Sequence, residues 1–364
     1  MSPWSSITAD LDAAEPPRLG GRRVMLSVLS FALVAALLAW GLPWAAGASW
    51  AQILDSLQGM AAWAVPAMVL LGLGAVALEA WTLHTATPGS RYGTALQGHA
   101  ASSAIALAVP GGGVLGMGLL GWILRRTGLA LPVVLTGILT ASLVEMVMTS
   151  VLIPLVGGVA YLAAGTVTDT RLDLPAAAFW AALIAVAGGA IALALLAVLL
   201  RRPVLRGLLD AAEGMGIGAG PEAQGLAPMV MELRDGMVAM IRRRPVGLLA
   251  PTVAARALQW LALVLAIHAA GGEVPLLLTI AIFALGRVLS LVPLTPGGAG
   301  ITETVGAAAL VGLGMGAADA ASAMLLLGIV MLAVPLVLGA AAALPALTGR
   351  ARSPQSASPG SWRP

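Results

Sequence analysis

Pro293-Leu294-Thr295-Pro296-Gly297-Gly298-Ala299-Gly300-Ile301-Thr302-Glu303 interrupts an otherwise apolar stretch near the C-terminal end of the chain. A helix does not pass undisturbed through two prolines and three glycines. Non-helical backbone at membrane depth is tolerated only where protein buries it or where it lines a wet cavity. An acid, Glu303, follows the break, and a base, Arg287, precedes it. Broken helices with ionisable flanks are where spanning proteins keep their ligand sites.

The surrounding chain makes a membrane the right setting. Of its 364 residues 59% are hydrophobic and 10% charged, with a mean hydropathy of +0.97; a soluble domain carries about 25% charged residues. Six apolar runs long enough to span a bilayer are expected at about 24–47, 61–83, 131–155, 175–200, 246–270 and 320–347. The first follows Arg22-Arg23 and exceeds the 7–15 residues of a signal-peptide core, so it reads as an uncleaved span. Residues 49–59 are too polar to cross and read as interfacial. Residues 1–23 and 348–364 read as disordered cytoplasmic arms around a membrane domain at 24–347. The fold class is all-α and polytopic.

The region 95–124 is apolar but split by Pro110-Gly111-Gly112-Gly113, and each piece is shorter than a span. Charge counting decides its path. If it enters and leaves on one side, 16 of the 19 basic residues, all of them Arg, are cytoplasmic, with both termini. If it crosses, the seven arginines of 201–245 face outward, against the positive-inside rule. A re-entrant hairpin is therefore expected. The pieces at 275–292 and 301–316 flank the second break and enter from the other face. Two such hairpins would form an inverted repeat.

The composition excludes several chemistries. There is no cysteine, hence no disulfide or thiolate site. His84, His99 and His268 lack ligand spacing, so no metal site and no cofactor are expected. A net charge of +3 does not argue for nucleic acid, because the arginines sit beside apolar spans. Gly111-Gly112-Gly113-Val114-Leu115-Gly116 fits a dinucleotide pattern only formally; no soluble strand precedes it. Met229, Leu233, Met237, Met240 and Ile241 share a helical face in the 201–245 insert. That face suits an interfacial helix on anionic lipid or packing against the ends of spans.

The candidate site residues follow from the breaks. A helix starting near Gly300 would point unpaired N–H groups and a positive dipole end into the membrane interior, where a phosphate or carboxylate fits. Glu303 is either part of that site or the cap of its own helix. Arg287 either holds an anion or snorkels. At about 1.5 Å per residue Arg287 lies roughly 13 Å from Pro296 and Glu303 about 5 Å from Gly300, so the two sit at different depths. Glu145 lies mid-span, while Glu79 and Arg256 lie near interfaces.

The stretch from Leu289 to Glu303, with Arg287 before it and the long Gly/Ala/Leu-rich span after it, resembles the lysylphosphatidylglycerol synthase transmembrane-region family. Val109-Pro110-Gly111-Gly112-Gly113 and Arg125-Arg126-Thr127-Gly128 resemble its first re-entrant segment in actinobacterial members. The acid and Arg that many members carry after that motif are replaced here by Val114, Leu115 and Gly116, and the resemblance is expected to be to the stand-alone members without an aminoacyl-transferase domain. The resemblance implies a non-enzymatic, flippase-like protein of a bacterial plasma membrane, with membrane lipids as its partners. A lipid headgroup would enter between the hairpins. Pro110, Gly111, Gly112, Gly113 and Glu145 line that space with Pro296, and Gly297, Gly298 and Gly300 offer backbone donors. Arg287 and Glu303 hold or gate the headgroup. The competing readings are a membrane-embedded transferase or hydrolase acting on lipid-linked substrates, and an accessory subunit of a cell-envelope glycosyltransferase complex. A second copy of the chain and a cell-envelope biosynthetic protein are the partners left open.

Overall fold

The structure, a computed structural model, describes residues 21–108, 112–167, 176–215, 226–291 and 295–348. The expected arms therefore lie outside it, except that Gly21 to Arg23 already belong to the first helix. Pro110, Gly111 and Pro293 also lie outside the described residues.

Every regular element among the described residues is helical. Helix α1 (Gly21–Ala36) runs through a π turn (Leu37–Gly41) into α2 (Leu42–Ala46). The short α3 (Trp50–Gly59) opens on a capping box between Ser49 and Gln52. Next come α4 (Ala64–Ala86), α5 (Tyr92–Ala108), α6 (Gly112–Arg125) and α7 (Leu131–Val147). A second π turn (Met148–Leu152) joins α7 to α8 (Ile153–Val167). The chain continues as α9 (Ala176–Leu199), α10 (Arg202–Gly214), α11 (Leu226–Arg243), α12 (Pro245–Ala269), α13 (Leu276–Leu289), α14 (Ile301–Gly312) and α15 (Ala317–Thr348).

Six segments are long and apolar enough to cross a membrane: Met25–Ala46, Ala64–Ala86, Leu131–Thr166, Phe179–Leu199, Pro245–Ala269 and Ala317–Ala343. The third outruns the expected 131–155. Pro154 cannot donate to the helix ladder, and the π turn just before it absorbs the missing bond without ending the helix. Large apolar side chains stand exposed on the outer faces, among them Trp40, Trp44, Ile184 and Ile191. Lipid, not water, is their natural surrounding.

Both short pairs fold as hairpins. In the first, Gly112 lies on the backbone of Ile105, Gly116 on that of Ser102, and Gly98 against Leu120, the order of an antiparallel pair. A β-carbon at Gly112 or Gly116 would sit 2.3 or 2.5 Å from a carbonyl oxygen, so small residues set this close approach. At 1.5 Å per residue, α5 and α6 reach only about 25 and 21 Å, short of a hydrocarbon core of about 30 Å.

Helix packing places the two hairpins at opposite ends of the bundle. α4 and α12 are antiparallel, with Thr85 against Gly247 and Gly74 against Leu258. The first hairpin departs from the end of α4 and the start of α12; the second departs from the far end of α12, where Gly272 meets Met315. Their tips meet: Leu107 packs over Gly297. Met240 and Ile241 of α11 pack on Ala86, Val144 and Leu248, so this part of the amphipathic face covers the ends of spans.

Candidate functional site

The second break is built by residues with left-handed backbone. Gly298 has φ 77° and Gly300 φ 83°, values that L side chains rarely adopt. Pro296–Gly298 forms a single 3-10 turn, in which the Gly298 N–H bonds the Thr295 carbonyl at 3.2 Å. Gly300 then caps α14, and its N–H donates to the carboxylate of Glu303 in the first turn. Two of the three glycine N–H groups are thus already engaged within the chain. Glu303 is only 6% exposed, and its carboxylate lies against Gly328 of α15, where any β-carbon would collide with it. Among the described residues it forms no ion pair; the capping role, weighed above as one of two, is the one its contacts display.

Beside the meeting tips, and lined by both hairpins, lies a cavity of about 640 Å³. Leu107, Gly113 and Gly116 of the first hairpin line it, with Gly297, Ala299, Thr302 and Glu303 of the second. Arg287, Ser290 and Glu145 face the same space. Gly112, Gly298 and Gly300 shape the turns behind this wall rather than lining it, and Pro296 sits within the 3-10 turn. Pro110 and Gly111 lie outside the described residues. Arg287 and Glu303 therefore share one cavity without bonding one another.

Arg287 is half-buried in the last turn of α13. Its Nε has no hydrogen-bond partner, and its guanidinium forms no ion pair among the described residues. The hydroxyl of Thr302 on the facing helix is also without a hydrogen-bond partner among the described residues. A cation and a hydroxyl donor thus face a largely apolar space without a hydrogen-bond or ion-pair partner among the described residues.

The other arginine is engaged. Arg256 of α12 is 7% exposed, and its Nη2 bridges Glu79 of α4 at 2.9 Å and Glu145 of α7. Its Nη1 donates to Gln259 one turn on, whose amide donates to Glu79 at 3.2 Å. Glu79 also meets His99 Nε2 of α5 at 3.0 Å, and Thr149 donates to Glu145 at 3.0 Å. Glu79, His99, Gln259 and Arg256 all line the cavity. Glu79 and Arg256 thus face the cavity from the inner wall of the bundle. His99 and Gln259 were not singled out for this site. The available signal was electrostatic: an Arg inside a span requires an acid, and Arg256 and Gln259 at i and i+3 share a helix face.

Comparison with known proteins adds one positive finding. A family model described as the lysylphosphatidylglycerol synthase TM region matches residues 27–339. No curated protein matches the chain.

Proposed function

We propose a lipid-handling function for this chain, which belongs to the lysylphosphatidylglycerol synthase TM-region family: it carries the headgroup of an anionic or zwitterionic lipid across the bilayer. One observation carries the reading. Arg287 faces, without a direct partner among the described residues, a cavity of about 640 Å³ between two helical hairpins that enter from opposite ends of the bundle. That volume is typical of small-ligand sites, about 300–1,000 Å³, and suits a headgroup whose acyl chains stay in lipid. The guanidinium and Thr302 hydroxyl supply donors matched to a phosphate. The broken backbone beside them is the kind tolerated at membrane depth only against protein or a wet cavity.

The test is reconstitution into vesicles carrying headgroup-labelled phosphatidylglycerol, phosphatidylethanolamine or a polyprenyl phosphate. The wild-type chain is expected to move at least one of them between leaflets. Arg287→Gln is expected to slow that movement about 10- to 100-fold, the value of a lost charge-assisted hydrogen bond of roughly 1.5–3 kcal/mol. No movement of any of the three lipids would overturn the proposal for these lipid classes.

A further inference from the structure

Arg256 bridges two carboxylates but carries one positive charge. With Glu79 and Glu145 ionised, this cluster holds one surplus negative charge between apolar walls, where an uncompensated charge is costly. Arg287, which lines the same cavity and forms no ion pair among the described residues, offsets that surplus. The carboxylate of Glu303 is held at the N-terminus of α14, whose dipole end favours it. Apart from Glu303, the charged side chains lining the cavity sum to zero, Glu79 and Glu145 against Arg256 and Arg287. An anionic headgroup on Arg287 removes the offset and leaves one negative charge unbalanced.

His99 is placed to correct this. Its Nε2 lies 3.0 Å from Glu79 Oε2. An ionised carboxylate can only accept, and Arg256 holds Glu79 in that state, so Nε2 carries the hydrogen and the Nδ1 lone pair is left to take a proton. The groups facing the pair from its neighbours are Arg256 and Gln259 of α12, Glu145 of α7, Arg287 of α13 and Glu303 of α14; among the described residues α6 and α15 present no titratable group to the cavity.

We propose that His99 and Glu79 form a proton-binding site linked to the lipid site. One proton passes from water to His99 Nδ1 as an anionic headgroup settles on Arg287, and both leave together. The only bond made is N–H, and the only bond broken is the O–H of the donating water cluster. The linkage rests on the lipid-handling reading above; the proton site rests on geometry alone, and the experiments keep the two apart.

The chain has three histidines, His84, His99 and His268, so nitrogen NMR of histidine-labelled protein in lipid nanodiscs gives few signals, and H99Q assigns His99. The expected result is conversion of the His99 Nδ1 signal from lone-pair to protonated form on acidification, with that conversion altered in E79Q. A signal that keeps its lone-pair form throughout overturns the proton site. For the linkage, vesicles with labelled phosphatidylglycerol are given a gradient of about one pH unit with the membrane potential clamped. One proton per lipid sets an enrichment on the order of tenfold in the leaflet facing the alkaline side. Lipid that moves to the same distribution with and without the gradient overturns the linkage and leaves the translocase reading standing. If no labelled lipid moves, the translocase reading and the linkage fall together for these lipids, and the His99 signal still decides the proton site.

Discussion

Arg256 is buried among groups that all depend on it, and the consequences of removing it differ from those of removing any one partner. Arg256→Met strands two carboxylates, and breaking a buried pair by deleting one partner costs about 3–5 kcal/mol. Glu145→Gln leaves the contact to Glu79 in place, and the Glu145 side chain is 40% exposed to the cavity, so solvent screens its loss and the cost is on the order of 1 kcal/mol or less. Thermal unfolding in detergent is expected to rank Arg256→Met well below Glu145→Gln; equal losses would show that the cluster is not organised around the guanidinium. Glu303 invites the same treatment. If its contribution to stability is the cap on Gly300, Glu303→Gln keeps an acceptor for that N–H and stays close to wild type, while Glu303→Ala loses about 0.5–2 kcal/mol. Gly328→Ala reaches the same end from the other helix, because its β-carbon would sit 2.2 Å from the Glu303 carboxylate. If all three variants unfold together with the wild type, the cap contributes nothing to stability.

The two hairpins are the elements that make the cavity, and they were readable in the sequence for a local reason. Proline and glycine interrupt a helix whatever surrounds it, so Pro110 to Gly113 and Pro293 to Gly300 announced breaks before any neighbour was known. The length of each apolar piece then said that none could span alone. The charge cluster was not readable in this way. Glu79 and Gln259 lie 180 positions apart, on helices that hydropathy describes equally well as any two spans, and periodicity does not say which helices become neighbours. The antiparallel contact of α4 and α12 brings them together. The insert 201–245 is an intermediate case: its amphipathic face was visible, and two surroundings suited it until α11 was placed against the ends of α7 and α12. At this scale the structure makes a direct prediction. Leu107 and Gly297 are in contact across the tips, and the chain has no native cysteine. The pair L107C and G297C is therefore expected to cross-link within one chain, either on oxidation or with a short bis-maleimide. The bridge is also expected to stop lipid movement in vesicles, with recovery on reduction of the disulfide. Free movement in the cross-linked protein would mean that the tips need not part.

At the scale of the molecule the chain repeats one order: a long helix, a broken hairpin and a long helix. The first instance is α4, α5 with α6, and α7; the second is α12, α13 with α14, and α15. α4 and α12, the opening helices of the two instances, run antiparallel, so the instances point in opposite directions. This is the geometry of an inverted repeat, and it matches the way transporters set a site at the midplane between half-spanning elements. Charge asymmetry orients it. Arg91, Arg125 and Arg126 flank the base of the first hairpin, and Arg201, Arg202 and Arg242 to Arg244 lie at the same end of the bundle; the positive-inside rule predicts that end to be the cytoplasmic one. Among the described residues the base of the second hairpin carries no arginine, and Gly272 and Gly314 mark it. Single cysteines at Arg91, Arg126 and Arg202 are therefore expected to react with an impermeant maleimide only from the cytoplasmic side, and those at Gly272 and Gly314 only from outside. Opposite labelling of Arg91 and Arg126 would turn the first hairpin into a full crossing, invert everything after it, and remove the two-sided access on which the cavity's proposed role depends. Same-side labelling of all five positions would instead place both hairpins on one face, which the antiparallel packing of α4 on α12 does not allow.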